Sequence, residues 1–262
     1  MSMQKSISVN THYTRSINLE RDASSVEVVK AYIPTSRALR TFARVSDTFH
    51  NKQAPRAWSW VGPYGSGKSS ASVFLGQLLA NPNADAAKEA LRVLSKTDKV
   101  VAGAFKKAMQ NSDGCLRVLL TGSPEAMGKR LVKGLALSAQ QYWMDRKRKA
   151  PIIVDTLKKL SQQEKITTSE IVDAVKALQE ALNKTQCKGL VIVIDELGKF
   201  LEFEARHYGA NVIYLLQALA EHACAGNDVN LMLFVLLHQS FEQYAKGLGE
   251  SLKNEWSKVQ GR

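Results

Sequence analysis

Gly62-Pro63-Tyr64-Gly65-Ser66-Gly67-Lys68-Ser69 decides the fold, because it fits G-x-x-x-x-G-K-[ST] at every fixed position. Glycines at 62, 65 and 67 let a backbone wrap closely enough for successive N–H groups to converge on an anion. A lysine at 68 supplies charge toward β- and γ-phosphates, and a hydroxyl at 69 can ligate Mg²⁺. The stretch predicts a nucleoside triphosphate cradle formed by residues 62–70, Ser70 included.

The flanks fit that reading. Upstream, Arg56-Ala57-Trp58-Ser59-Trp60-Val61 reads as a short strand, with Pro55 at its start. Downstream, Phe74, Leu75, Leu78 and Leu79 recur at helical spacing, and Asn81-Pro82 stops the helix. Strand, loop and helix follow in the order that a phosphate loop requires.

The second decisive stretch is Leu190-Val191-Ile192-Val193-Ile194-Asp195-Glu196, a continuous aliphatic run closed by two carboxylates. It reads as a fully buried parallel strand whose carboxyl end bears the acids, a Walker B element. Asp195 would hold the Mg²⁺ shell together with Ser69. Glu196 would orient or deprotonate a water attacking the γ-phosphate, and its presence makes hydrolysis the expected reaction. A third aliphatic run, Leu231-Met232-Leu233-Phe234-Val235-Leu236-Leu237, ends in His238-Gln239-Ser240. His238 and Gln239 are both candidates to sense the γ-phosphate, with Gln239 slightly ahead because an amide can donate to phosphate while accepting from water. With Glu196 and Lys68 they complete the candidate catalytic set.

Elsewhere the chain reads as helices and turns. Leu39, Phe42, Ser46 and Phe49 fall on one face of a helix starting at Ser36, after the halt at Tyr32-Ile33-Pro34-Thr35. Residues 84–94 and 100–109 read as helices, with Asn111-Ser112-Asp113-Gly114 as a turn into the buried strand Leu116-Arg117-Val118-Leu119-Leu120. Residues 134–143 and 152–160 are helical, separated by the charged break Arg146-Lys147-Arg148-Lys149. Thr167 and Glu170 form a capping box for a helix with Ile171, Val175, Leu178 and Leu182 on one face. Residues 1–22 read as an irregular or weakly stranded arm.

At 262 residues and 45% hydrophobic content the chain can bury one sizeable core. Lys and Arg number 36 against 24 Asp and Glu, a net charge of +12 that makes nucleic acid a candidate partner. Arg146 to Lys149 would be the contact, although such a run more often forms a solvated loop. Cys115, Cys187 and Cys224 are odd in number and unpaired in spacing, which excludes a disulfide framework or a CxxC zinc site and suits a reducing cytoplasm. The longest apolar run is too short to cross a bilayer, so no membrane is expected.

Together GPYGSGKSS, VIVIDELGKF, the polar end of LMLFVLLHQSF and the YIPTSRAL lead-in resemble the AAA+ and STAND superfamily of P-loop ATPases, in particular its origin-recognition-like branch. The resemblance covers residues 32–262. It implies a three-layer α/β fold of the P-loop NTPase type (ASCE, AAA+-like) around a central parallel sheet. The sensor strand would lie between the two Walker strands, with a helical insertion at about 125–188 and an arm at 1–31. It also implies that Tyr32, Ile33, Pro34 and Arg37 border the adenine, that ATP and Mg²⁺ are the ligands, and that self-association or the rest of a larger protein supplies the partner. GPYGSGKSS with DELGKFLEFE further looks like the N-terminal ATPase module of large bacterial proteins found in phage-defence islands. The family's last strand and helical lid are not found before Arg262, so a truncated module is expected, and Arg262 is a candidate arginine finger. An ATP-gated DNA-binding switch with slow hydrolysis and a small-substrate phosphotransferase are the rival readings.

Overall fold

The computed structural model describes residues 16–207, 211–225 and 229–239. The sheet is built from β1 (Ala57–Val61), β2 (Leu116–Thr121), β3 (Gly189–Asp195) and β4 (Asn230–Leu237). All described pairings are parallel, in the order β1-β4-β3-β2, so β4 is inserted between β1 and β3. That order matches the expectation of a sensor strand between the two motif-bearing strands.

Every position of β3 is buried, as its unbroken aliphatic run requires of a strand covered on both faces. Alternation divides the side chains between two cores. Leu190, Ile192 and Ile194 join Leu116, Val118, Leu120, Leu231, Leu233, Val235 and Leu237 on one face. They pack under α6 (Met127–Asp145), α7 (Ile152–Ser161), α8 (Thr168–Asn183), α9 (Leu197–His207) and α10 (Asn211–Cys224). Val191, Val193, Met232, Phe234 and Leu236 face the other way, toward α1 (Val26–Ala31), α2 (Ser36–Asp47), α3 (Lys68–Leu78), α4 (Asp85–Thr97) and α5 (Lys99–Met109). Trp58 of β1 stacks on Phe234 with ring centroids 4.5 Å apart, and Trp60 meets the same ring edge-on at 5.7 Å. The result is a parallel sheet with helices on both faces.

Local chemistry explains the element boundaries. Thr35 caps α2 by accepting from Ala38 N, and Asp98 caps α5 by accepting from the N–H groups of Val100 and Val101. The capping box at α8 forms in full: Thr167 Oγ1 accepts from Glu170 N, and the Glu170 carboxylate accepts from Thr167 N at 2.8 Å. The turn at Gly114 is imposed by space as well as by its φ of +72°, since a β-carbon there would lie 2.3 Å from the Ala80 carbonyl carbon.

Three helices are additions to the sequence reading. α1 precedes the halt at Tyr32, and its Val28 and Val29 are buried with Leu19 in the same core as α3. α9 and α10 fill the interval between β3 and β4. Arg262, the candidate arginine finger, lies outside the described residues. Among the described residues no helix is long and apolar enough to cross a membrane.

Candidate functional site

The carboxyl ends of the parallel strands bring the separated motifs together. Gly62, the residue after β1, donates its N–H to Leu237 O at the end of β4 (3.1 Å), which ties the glycine loop to the neighbouring strand. Gly65 (φ +75°) and Gly67 (φ +81°) stand in open space but in left-handed conformations that L side chains rarely adopt. Gly67 is also the N-cap of α3, so the loop delivers the first turn of that helix, with its unpaired N–H groups and positive dipole end, into the site. Ser70 follows in that turn, half-buried.

Ser69 Oγ donates to Asp195 Oδ2 at 2.5 Å, joining residues 126 positions apart. Asp195 is only 3% exposed, and its other oxygen accepts from Glu196 N at 2.8 Å. A hydroxyl and a carboxylate in direct contact present two oxygens to one point, the donor chemistry that suits Mg²⁺. Among the described residues no group of three or more His, Cys, Asp and Glu is placed to hold a metal. A metal at Ser69 and Asp195 would therefore draw its remaining oxygens from water and phosphate, as Mg²⁺ commonly does.

Lys68 Nζ donates to Gly62 O (2.5 Å), Pro63 O (2.9 Å) and Ser66 Oγ (3.2 Å), all within its own loop. Burial pulls its proton affinity below that of a free lysine, and Asp195 opposes that pull. The lysine is thus held at the mouth of the loop by weak neutral acceptors, which an anion can displace.

Glu196 has an unusual backbone for a glutamate, with φ +51°. Its N–H is held by Asp195, its carbonyl accepts from Lys199 N (3.0 Å), and Gly122 lies against that carbonyl. The Glu196 carboxylate forms an ion pair with Lys199 in the first turn of α9. Gly122 is part of no sequence motif, and Lys199 lies in the DELGKF stretch without having been given a role. The three-residue spacing from Glu196 could have pointed to Lys199, whereas Gly122 is brought in only by the pairing of Thr121 with Asp195.

At the end of β4, the His238 ring stacks on Tyr64 of the loop with centroids 3.5 Å apart. Both His238 ring nitrogens are buried without a partner, so hydrogen-bonding capacity is left unused beside the loop. Burial first, and Lys68 second, hold His238 below the usual histidine proton affinity, which favours the neutral ring. Gln239 follows in an exposed position. His238 is therefore the sensor candidate with an observed contact to the loop.

The lead-in segment divides. Tyr32 packs on Phe74 of α3 with centroids 4.7 Å apart, and burial pushes its hydroxyl up to about 12. Pro34 is buried, while Ile33 is 77% exposed and Arg37 is exposed. Ile33 and Arg37 thus face solvent beside the helix that starts at the loop. The basic run serves the fold. Arg146 donates to Asp113 O (2.5 Å) and Tyr142 O (2.9 Å) and lies over the Tyr142 ring, and Arg148 pairs with the Asp113 carboxylate (2.5 Å). This clasp commits both guanidinium groups to the turn before β2; Lys147 and Lys149 remain exposed.

No family model, curated protein or solved structure gives a significant match to this chain.

Proposed function

We propose that this chain is a Mg²⁺-dependent ATP-binding and ATP-hydrolysing P-loop module of the AAA+ and STAND type, acting within a larger protein to drive assembly or remodelling. The observation that carries the reading is the Ser69–Asp195 contact at 2.5 Å across the end of a parallel sheet. Two motifs that each imply one half of a metal–phosphate site converge on a single point, as the chemistry needs. The strand order β1-β4-β3-β2 supports the same reading, because it sets His238 beside the loop.

When bound, Mg·ATP supplies the electrophilic phosphorus and the charge neutralisation of its own phosphate oxygens. Lys68 exchanges its loop carbonyls for phosphate oxygens and holds them near the α3 N-terminus. Ser69 and Asp195 orient the metal side of the nucleotide. Glu196 takes up the proton of the attacking water, and His238 uses an unpartnered ring nitrogen to hold that water or the terminal phosphate. Tyr32 and Pro34 line the approach to the base. A phosphotransferase reading would need an acceptor pocket, and among the described residues none marks one. The DNA-switch reading loses Arg146 and Arg148 as free contacts, since both serve the Asp113 clasp.

Titration calorimetry with Mg·ATP tests the proposal. Lys68→Ala removes binding, and Glu196→Gln retains binding while turnover falls by roughly a hundredfold or more. Unchanged ATP affinity in the Lys68 variant sinks the assignment.

A further inference from the structure

The charged group at the mouth that the mechanism above leaves unused is Lys199. Its ammonium pairs with Glu196 Oε2, and its backbone N–H donates to Glu196 O at 3.0 Å, so both ends of the lysine engage the same glutamate. The hydrogen bond to Glu196 raises the proton affinity of the ammonium above that of a free lysine.

This pair differs from the other described lysine pairs of three-residue spacing. Lys88–Asp85 and Lys176–Asp173 have the same three-residue spacing, at 3.9 and 3.2 Å, but their acids are 91% and 65% exposed. Pairs of that kind contribute little and exchange freely with water. The Glu196 side chain is 26% exposed, and its backbone is fixed by Asp195, by Lys199 N and by the close approach of Gly122. Side-chain rotation is the freedom left to its carboxylate, and Lys199 restrains that rotation.

We propose that Lys199 is a positioning residue for Glu196: it aims the carboxylate across the end of the sheet and offsets its charge as a polyphosphate approaches. The inference rests on the ATP-hydrolysis reading. Asp195 and Glu196 are adjacent carboxylates beside the loop, and a triphosphate brought there repels both. A bound metal would offset the charge at Asp195. Glu196 has no metal-ligand role here, and Lys199 is the cation that contacts it. Without that cation, repulsion would turn the carboxylate toward solvent and away from the water it must deprotonate.

A double-mutant cycle tests this. Lys199→Met lowers kcat on the order of ten- to a hundredfold, with ATP affinity unchanged. Lys199→Arg restores most of the rate, and Lys199→Met adds no further loss in a Glu196→Gln background. Turnover equal to the parent, or a full additive loss in the Glu196→Gln background, overturns the proposal. Amine acetylation followed by mass spectrometry reads the pair without turnover. Lys199 labels faster in Glu196→Gln than in the parent while Lys176 is unchanged; equal Lys199 rates overturn the pairing. Failure of the parent chain to bind Mg·ATP would overturn the hydrolysis reading instead, and the labelling result would still decide the pair.

Discussion

Gly122 lies so close to Glu196 that a β-carbon at position 122 would come within 2.2 Å of the Glu196 carbonyl oxygen. The Gly122 N–H in turn donates to Asp195 O at 2.9 Å, so the residue after β2 holds the backbone of both acids. The glycine is required by contact with backbone atoms, which cannot yield as a flexible side chain can.

Gly122→Ala therefore pushes the Asp195-Glu196 segment away from β2. The expected result is a loss of about 1–3 kcal/mol in unfolding free energy. Turnover should fall by more than the ATP affinity, because Glu196 moves while the loop stays. Chemical denaturation and steady-state kinetics on the same variant check both parts.

Ser69→Ala removes the hydroxyl that meets Asp195 and leaves a buried carboxylate oxygen without that donor. The expected outcome is a weakened Mg²⁺ requirement: ATP affinity in EDTA stays near that of the parent, and the gain on adding Mg²⁺ shrinks. Asp195→Asn should act in the same direction. Calorimetric titration with and without metal gives the comparison.

Asp113→Ala opens the clasp that joins the turn before β2 to the end of α6. Arg146, 12% exposed at its side chain, then loses its carboxylate neighbour, and Tyr142 loses an acceptor at 3.4 Å. A cost of about 1–3 kcal/mol follows from leaving polar groups unpaired. The site at the opposite, carboxyl end of the strands should keep its nucleotide affinity, and thermal unfolding with and without ATP separates the two effects.

His222 and His238 are both held below ordinary histidine proton affinity, chiefly by burial, with Lys176 and Lys68 respectively acting in the same direction. The unfolded chain therefore takes up more protons than the folded one as pH falls through the unperturbed value of about 6.5. Stability should be full above that pH and decline below it. The thermal midpoint followed from pH 7.5 to 5 should show this slope, and His238→Gln should flatten it.

The motifs and most elements were legible because they depend on local rules. The glycine pattern at 62–67, the caps at Thr35 and Thr167 and the aliphatic run of β3 each carry their own physical reason within a few residues. α9 starts directly after the two acids, so its first turn coincides with the stretch whose residues also read as site chemistry. The basic run was legible as charge but not as structure, since Asp113 lies 33 positions before Arg146. Gly122 was invisible for the same reason: its constraint is a contact with a neighbouring strand.

By itself the sequence determined that a phosphate-type loop, two acids and a polar strand end exist, and in which order they come along the chain. Only the tertiary structure decided that they meet. The insertion of β4 between β1 and β3 places His238 against Tyr64, and the first turn of α3 sets Ser69 on Asp195 at the end of β3. Glycine conformations and aliphatic runs are encoded within short windows, whereas the strand order that makes a cradle face its acids arises from covering both faces of one sheet at once.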